Sequence, residues 1–333
     1  MHTPRISIGM PVFNSRPEYF RAALASLLAQ SFTDFELLIS DNGSDPKHAA
    51  MYLAAARTDP RIRYVRHPFN QGPTFNFTYC VSASRGEYFC WAADDDLRHP
   101  DFLQDCVTLL DLQPQSVLAG ARMVEIDPAG RPLRHVRHDV RLGSPNVVER
   151  VQALRNMRYV YDIYGVFRRA HLAKSAIVRE AFARNFWGAD NVVVFSAILA
   201  GPVLRTRRTL FHYRVKPEDT CLTRHFTGPG QQDDPAPVIR AERERTRHLA
   251  LAVWWSVLSA AVKVRVFAAL LLIVNRSPYT NERKFMARHH FRKAVREQRW
   301  RRAAQMAVRY WRLSPLAPLR PAAWKAVPRQ ASA

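Results

Sequence analysis

The sequence has little acidic charge, few cysteines and no recognisable leader. Its 28 acidic residues face 50 Lys and Arg, a net charge of +22 that favours anionic partners: nucleic acid, an anionic membrane or phosphorylated substrates. The four cysteines form no CxxC pair, which argues against a zinc ribbon or a disulfide framework and favours reduced, packed thiols. The first residues contain no apolar segment with a cleavage site, so we expect no secretory leader and a cytoplasmic location.

The first half of the chain alternates strand-like and helix-like patterns. Strand patterns fall at residues 5–13, 35–40, 62–66, 88–92 and 116–126. Helical spacing and helix-opening prolines fall between them. Repeated strand–helix–strand units predict an α/β fold with a mostly parallel sheet and right-handed crossovers.

The middle of the chain is less regular. Its patterns predict a loop or hairpin at 127–145, a helix at 147–157, a strand at 159–167, a short helix from His171, a helix at 190–199 and a strand at 210–213. A Gly-, Pro- and Asp-rich break at 228–237 predicts a boundary. We therefore expect the enzyme domain to cover residues 1–235.

The C-terminal third differs in character from the rest. Residues 249–274 are apolar except for two serines and the cations Lys263 and Arg265, each of which would cost about 2.5–3.5 kcal/mol at a bilayer centre. This pattern leaves open a spanning helix, a helix packed on the enzyme domain and a helix lying in the membrane interface.

A strongly basic segment follows at residues 281–312, where eleven Lys and Arg face two Glu. Interleaved aromatics favour a helix on an anionic surface; the alternative is a solvated basic face with its aromatics in the core. The composition thus predicts a helical, basic, membrane-associating region at 236–314 and a Pro/Ala-rich tail at 315–333.

Three consecutive carboxylates, Asp94–Asp96, follow the fourth predicted strand. In an open parallel sheet, ligands bind beyond the carboxyl ends of the strands. Adjacent like charges repel and favour a bound cation, and oxygen-only ligands suit Mg²⁺ or Mn²⁺. The alternative is an acidic turn that caps the next helix.

Five short motifs resemble family 2 glycosyltransferases with the GT-A fold. Residues 5–14 (RISIGMPVFN) resemble the first strand of that family, and residues 31–44 (SFTDFELLISDNGS) resemble its nucleotide-binding second strand. The motifs NQG at 70–72, RGEY at 85–88 and ADDD at 93–96 follow in the family's order, and the last matches its DXD metal motif. The resemblance covers residues 5–215 and implies a Rossmann-like sheet flanked by helices, with a C-terminal helical appendage.

The resemblance also implies site roles. Contacts to the donor nucleotide are implied for Pro11, Phe13, Asn14, Asp41, Asn42, Asn70, Gly72, Asp94, Asp95 and Arg214. Asp96, with Asp95, would hold Mn²⁺ or Mg²⁺, and His212 is an alternative to Arg214 at the diphosphate. Many members carry a second Asp where this chain has Asn42, so the donor base stays open between UDP- and dTDP-sugars.

The general base implied by the resemblance is Asp190, in the position of the Asp of the family's Glu-Asp pair. Ala189 replaces the Glu. Asp190 would deprotonate the acceptor hydroxyl in an inverting transfer; the alternative is that it only caps a helix.

The expected function is transfer of a hexosyl or related sugar to a glycan or lipid-linked acceptor in bacterial cell-surface polysaccharide or glycolipid synthesis, on the inner face of the plasma membrane. Two other functions stay open. One is a silent nucleotide-sugar-binding protein, suggested by the missing Glu before Asp190. The other is a basic nucleic-acid binder, although no nucleic-acid reading motif is present and we expect no specific nucleic-acid partner.

Overall fold

A nine-stranded mixed sheet organises the described part of the chain, which in this computed structural model comprises residues 3–136, 140–154, 161–183, 188–216 and 236–274. The strands are β1 (Ile6–Val12), β2 (Phe35–Asp41), β3 (Ile62–Arg66), β4 (Tyr88–Trp91), β5 (Leu97–Arg98), β6 (Leu118–Ile126), β7 (Pro132–His135), β8 (Val166–Arg168) and β9 (Val203–Arg214). The helices are α1 (Pro17–Leu28), α2 (Pro46–Ala56), α3 (Pro73–Ser82), α4 (Phe102–Leu112), α5 (Val147–Ala153), α6 (Arg169–Lys174), α7 (Ala176–Ala183), α8 (Ala189–Ala200), α9 (Ala236–Trp255) and α10 (Ala260–Val274).

The sheet has a parallel half and a mixed half. Its order is β3-β2-β1-β4-β8-β6-β9-β5, with β7 paired to β6. The first four strands in this order run parallel, whereas β8 is antiparallel to both of its neighbours. β9 runs parallel to β6, and β5 antiparallel to β9. This arrangement confirms the predicted α/β class with an open sheet flanked by helices.

The central strands are buried on both faces. Every residue of β2 is buried, as are six of the seven residues of β1, the pattern expected where helices cover both sides of a parallel sheet. Helix α3 lies so close to β1 that a Cβ added at Gly9 would stand 2.5 Å from Cys80 Cβ. This close packing fixes the carboxyl end of β1 against its neighbours.

The structure departs from the predicted elements mainly in the mixed half. Residues 155–160 lie outside the described part; after them the expected strand is a 3₁₀ turn, Tyr161–Tyr164, followed by the short β8. The turn forms because the Gly165 amide donates to the Asp162 carbonyl (3.0 Å) and Arg205 pairs with the Asp162 carboxylate. The last strand begins at Val203 rather than at residue 210, and helix α7 was not predicted.

The apolar stretch 249–274 is two helices rather than one. The chain turns between Trp255 and Ala260, where the Ser256 hydroxyl donates to the Val253 carbonyl (2.6 Å) and ends α9. Helix α9 packs against α7 and α8, and residues up to Ile273 belong to one compact unit. Within the described residues, no helix is both long enough and apolar enough to cross a membrane.

The predicted boundary at residue 235 stays a prediction, and the basic segment 281–312 lies outside the described residues.

Candidate active site

The carboxyl ends of β1, β2 and β4 meet at one edge of the sheet. The strand register aligns Val12 with Asp41 and places Trp91 beside Gly9, so the chain segments that follow these strands emerge side by side. The Ser15 hydroxyl, just after β1, donates a hydrogen bond to the Asp94 carboxylate after β4. This edge therefore collects most of the residues predicted to form the site.

Asp41 is fully buried at the end of β2. Its Oδ1 accepts from the Ser44 amide (2.9 Å), and its Oδ2 accepts from the Tyr64 hydroxyl (2.8 Å). Burial first, and then the hydrogen bond to Asp41, raise the pKa of Tyr64. One oxygen of Asp41 thus holds the turn at Ser44, and the other holds Tyr64 on β3.

Asn14 links the ends of β1 and β2. It adopts a left-handed backbone conformation (φ 48°), which asparagine tolerates better than most residues. Its side-chain oxygen accepts from the Asp45 amide (2.9 Å), and its own amide donates to the Ser44 hydroxyl (3.0 Å). Pro11, half-buried in β1, pairs with Ser40 just before this junction.

Asn42 holds the loop that carries two other predicted residues. Its amide nitrogen donates to Asn70 Oδ1 (2.8 Å) and to the Gly72 carbonyl (3.0 Å). Its amide oxygen accepts from the Gln71 backbone (3.0 Å). An amide can donate and accept at once, whereas a carboxylate can only accept, so Asn42 suits this role better than Asp would. Asn42, which is predicted to contact the nucleotide, thus also positions this loop.

Two exposed phenylalanines flank this loop. Phe13 follows β1 and is 45% exposed, and Phe69 precedes the loop and is 63% exposed. Gly43 packs beneath Phe69, because an added Cβ would lie 2.5 Å from the Phe69 carbonyl carbon. Aromatic faces of this kind offer stacking surfaces for a nucleobase.

Asp94 belongs to a hydrogen-bonded group that reaches back to α2. Besides donating to Asp94, Ser15 donates its amide to the Tyr52 hydroxyl (2.9 Å), which in turn donates to the Ser15 hydroxyl (2.8 Å). Burial first, and then the charge of Asp95, raise the pKa of Asp94. Its carboxylate is half-buried beside a second negative charge, an environment that favours a cation.

Asp96 is the most deeply buried carboxylate of the triplet. Its Oδ1 accepts from the Arg214 backbone amide (2.8 Å), whereas its buried Oδ2 has no hydrogen-bond partner. Burial first, and then the charge of Asp95, raise the pKa of Asp96 well above its usual range. A buried, unsatisfied carboxylate oxygen is costly in the absence of a cation or a proton.

Arg214 holds the aspartate loop through its main-chain oxygens. The buried guanidinium donates to the carbonyls of Asp95 (2.8 Å), Asp127 (3.1 Å) and Pro128 (2.8 Å). Lys216, two residues further along, makes an ion pair with the Asp95 carboxylate. In this structure the charged group of Lys216 contacts a carboxylate of the cluster, whereas that of Arg214 contacts main-chain carbonyls.

The donor set at Asp94–Asp96 fits a hard divalent cation. Among the described residues, no three His, Cys, Asp or Glu side chains are grouped to hold a metal ion. Mg²⁺ and Mn²⁺ are commonly bound through one or two carboxylates, with waters and substrate phosphates completing the shell. The unpartnered oxygen of Asp96 is compatible with that mode of binding.

Asp190 lies in the first turn of α8 and is reached by solvent. Gly188 occupies the N-cap position of this helix, so Asp190 lies in the first turn and is not the N-cap residue. The carboxylate accepts from the amide (2.8 Å) and the side chain (2.9 Å) of Asn191. Desolvation by the surrounding protein raises the pKa of Asp190, whereas the positive charge of Arg245 on α9 acts to lower it.

The charges of Asp190 and of the aspartate cluster both affect the pKa of Tyr164. Burial first, and then neighbours that include Asp96, Asp95 and Asp190, raise the pKa of Tyr164 well above its usual range. The 3₁₀ turn that ends at Tyr164 also contacts both β4 and α8. The 3₁₀ turn therefore lies between the strand that precedes the aspartates and the helix that carries Asp190.

Four residues of this site were not predicted: Ser15, Phe69, Tyr164 and Lys216. Ser15 adjoins the first motif, and Lys216 continues the two-residue alternation of β9 through His212 and Arg214. The sequence therefore contains a weak indication that both residues belong to the site. Tyr164 left none, because its position depends on the 3₁₀ turn.

Residues 7–175 match the model of glycosyl transferase family 2, and the chain belongs to this family. It is 30% identical over 140 residues to an uncharacterized glycosyltransferase of Rickettsia felis, a match that spans 42% of this chain and 23% of that protein. It is 31% identical over 102 residues to WcaA of Escherichia coli, named as a colanic acid biosynthesis glycosyl transferase, across 31% of this chain and 36% of that protein. The chain thus matches well under half the length of these relatives.

The fold is that of the glycosyltransferase S. aureus TarS. The structure of TarS residues 1–349 in complex with UDP-GlcNAc matches with a TM-score of 0.61 and 16% identity, over 93% of this chain and 82% of that one. The complex of the same TarS fragment with UDP matches with a TM-score of 0.60 and 18% identity, over 84% and 75% of the two chains. At this identity the likeness establishes the GT-A fold, and the family rests on the match of residues 7–175.

Proposed function

We propose that this protein is an inverting glycosyltransferase that moves a hexose or related sugar from a UDP- or dTDP-sugar to an acceptor hydroxyl. The observation that carries the proposal is the buried Asp96 carboxylate, whose Oδ2 has no hydrogen-bond partner. It stands at the strand ends of a family 2 glycosyltransferase sheet, beside two further carboxylates. A nucleotide diphosphate with its cation would satisfy this arrangement.

The donor nucleotide would lie across the ends of β1 and β2. Phe13 and Phe69 offer it aromatic faces, and the loop held by Asn42 borders it at Asn70 and Gly72. The solved TarS complexes contain UDP and UDP-GlcNAc, which supports a nucleotide-sugar donor of this kind.

The leaving diphosphate needs positive charge beside it. A bound Mn²⁺ or Mg²⁺ would supply that charge, held by Asp96 with Asp95. Lys216 pairs with Asp95 and would exchange this carboxylate for a phosphate oxygen when the donor binds. Arg214 keeps the loop in place through the Asp95 carbonyl.

Asp190 would act as the general base. As the acceptor oxygen bonds to the anomeric carbon, its proton passes to the Asp190 carboxylate, and the nucleoside diphosphate leaves with the electrons of the broken C–O bond. Attack from the face opposite the leaving group inverts the anomeric configuration. The environment that raises the pKa of Asp190 makes it a stronger base than an ordinary carboxylate.

The proposed acceptor is a glycan or a lipid-linked glycan, in cell-surface polysaccharide or glycolipid synthesis at the inner face of the plasma membrane. The E. coli relative named for colanic acid biosynthesis supports such a pathway. The net charge of +22 supports an anionic membrane surface as a partner.

The first experiment is a thermal-shift screen of UDP, dTDP and their sugars, with and without Mn²⁺, on the wild type and Asp96→Ala. Ligands that bind only the native state raise the melting temperature, here by a few degrees at saturating nucleotide. We expect a metal-dependent shift with one nucleotide class that the variant lacks. A metal-dependent shift retained in Asp96→Ala would refute the metal role of Asp96, and no shift with any nucleotide would refute the donor proposal.

A Lys216→Met variant tests, in the same screen, whether Lys216 supplies positive charge to the diphosphate in addition to the metal ion. We expect a smaller shift with UDP or dTDP and an unchanged shift with the corresponding nucleoside, because the lysine would contact only the diphosphate. Lys174→Met, at the end of α6, is the control. Equal shifts for both variants would remove Lys216 from the donor site.

A further inference from the structure

Exposed apolar side chains of the described residues concentrate at one place. Nine large hydrophobic side chains are exposed, and four of them fall within eleven residues: Trp254 (67% exposed), Trp255 (48%), Val257 (102%) and Val264 (68%). We call these four residues the tryptophan corner. Single exposed hydrophobic residues are normal, whereas a cluster of this kind marks an interaction site.

The corner is formed by the turn between α9 and α10. Helix α9 ends at Trp255 and α10 begins at Ala260. The Lys263 ammonium donates to the Trp254 carbonyl (2.8 Å), which ties the first turn of α10 to the end of α9. The apolar side chains are therefore presented on an ordered turn.

Both helices also bury part of their side chains, and α9 is packed against the rest of the protein. His248, Leu249 and Val253 are buried on α9, and Val266 and Leu270 are buried on α10. Helix α9 contacts α7 and α8. The two tryptophans therefore remain exposed at the end of a helix, α9, that is already docked on the protein.

The charge around the corner has one sign. Residues 249–274 contain no Asp or Glu, and their charged side chains are Lys263 and Arg265. Arg247, about two turns before the corner and paired with Glu244, keeps 58% of its side chain exposed. Tryptophans next to cations are typical of a surface that enters the headgroup region of an anionic bilayer.

We propose that the tryptophan corner docks on an anionic lipid surface, with Trp254, Trp255 and Val257 entering the headgroup region while Lys263 and Arg265 face lipid phosphates. This inference rests on the proposed membrane partner and is independent of sugar transfer. No helix of the described residues is able to span a bilayer, so the contact is interfacial.

The test measures co-sedimentation of the full chain with vesicles of phosphatidylcholine and phosphatidylglycerol, and with phosphatidylcholine alone. A Trp254→Ser/Trp255→Ser variant should lower the partition coefficient on the anionic vesicles about tenfold or more, because binding scales with the buried apolar area. The matched control is Leu112→Ser/Leu133→Ser, which removes two exposed leucines elsewhere (74% and 57% exposed) and should partition like the wild type.

Equal partitioning of the tryptophan variant and the wild type would overturn the proposal. So would wild-type binding that is as strong on phosphatidylcholine alone, or a dimer that the variant converts to a monomer in sedimentation equilibrium. UDP and dTDP binding, measured without vesicles on the same proteins, should be unchanged by the tryptophan substitutions. A wild type that binds vesicles but no nucleotide would refute the glycosyltransferase proposal and leave the lipid contact standing.

Discussion

Asp190 combines two properties that a general base requires. Its carboxylate is open to solvent, and therefore to an acceptor hydroxyl, yet the surrounding protein raises its pKa. A deprotonated Asp190 is the active form, so a raised pKa moves the acidic limb of activity to higher pH. We expect kcat/KM to fall on acidification at a pH above the ordinary Asp value of about 3.9.

An Asp190→Asn variant tests this role. Transfer should fall by about 10²–10⁴-fold, and the acidic limb assigned to Asp190 should vanish, while nucleotide binding by thermal shift stays unchanged. Glu18→Gln removes an exposed carboxylate from the same position in the first turn of α1 and is the matched control. An Asp190→Asn enzyme with wild-type turnover would leave the reaction without the proposed base.

At the scale of single residues, the sequence located the aspartate triplet but did not predict how its members divide their contacts. Asp94 bonds to Ser15, Asp95 pairs with Lys216, and Asp96 keeps one oxygen without a hydrogen-bond partner. The partners Ser15 and Lys216 lie just after β1 and β9, far from the aspartates in the chain. Short motifs predict where a carboxylate lies, whereas long-range packing decides what it contacts.

The loop after β2 illustrates the same point at the scale of an element. The motif at 41–44 predicted a turn near the nucleotide. The structure adds that Gly43 has φ 74° and that its Cα lies directly beneath the Phe69 backbone. The turn, the 70–72 loop and the exposed Phe69 therefore form one interlocked unit.

A Gly43→Ala substitution should break this unit. The left-handed backbone and the contact at 2.5 Å with a backbone atom together predict a loss of about 1–3 kcal/mol in the free energy of unfolding, with weaker nucleotide binding. Chemical denaturation and the thermal-shift screen measure the two effects. Gly130→Ala is the control, because its φ is 85° with nothing within 4 Å of the added Cβ: it should be destabilising to a smaller degree and should not affect binding.

Strands and helices of the parallel half were predictable because each buries a continuous apolar face. The mixed half was less predictable, because β5 and β8 are only two and three residues long and pair with strands distant in sequence. The single predicted helix at 249–274 was wrong for a local reason: Ser256 and Lys263 bond to carbonyls at the end of α9 and stabilise a turn.

At the scale of the whole molecule, α9 is integrated with the enzyme core. It buries Leu249, Ala252 and Val253, and it packs against the helix that carries Asp190. Each buried Leu or Val side chain contributes about 1.5–3 kcal/mol. Removing α9 should therefore cost more stability than a marginally stable domain tolerates.

Two truncated chains test this expectation and the boundary predicted at residue 235. A chain that ends at residue 275 should melt cooperatively, whereas a chain that ends at residue 235 should melt at a lower temperature or aggregate. Circular dichroism and light scattering distinguish the outcomes. Identical cooperative melting of the two chains would instead establish a self-sufficient domain ending near residue 235.

Helix α9 also relates the position of Asp190 to that of the tryptophan corner. Midway along α9, Arg245 lies against Gly188, where an added Cβ would stand 2.8 Å from the arginine Cδ, two residues from Asp190. At its end stand Trp254 and Trp255, nine and ten residues further along. At about 1.5 Å per residue, Arg245 and Trp254 lie about 14 Å apart along the helix axis. With the tryptophans in the headgroups, Asp190 would sit on the order of one short sugar chain from the lipid, and an acceptor would be selected by how far its hydroxyl extends from its anchor.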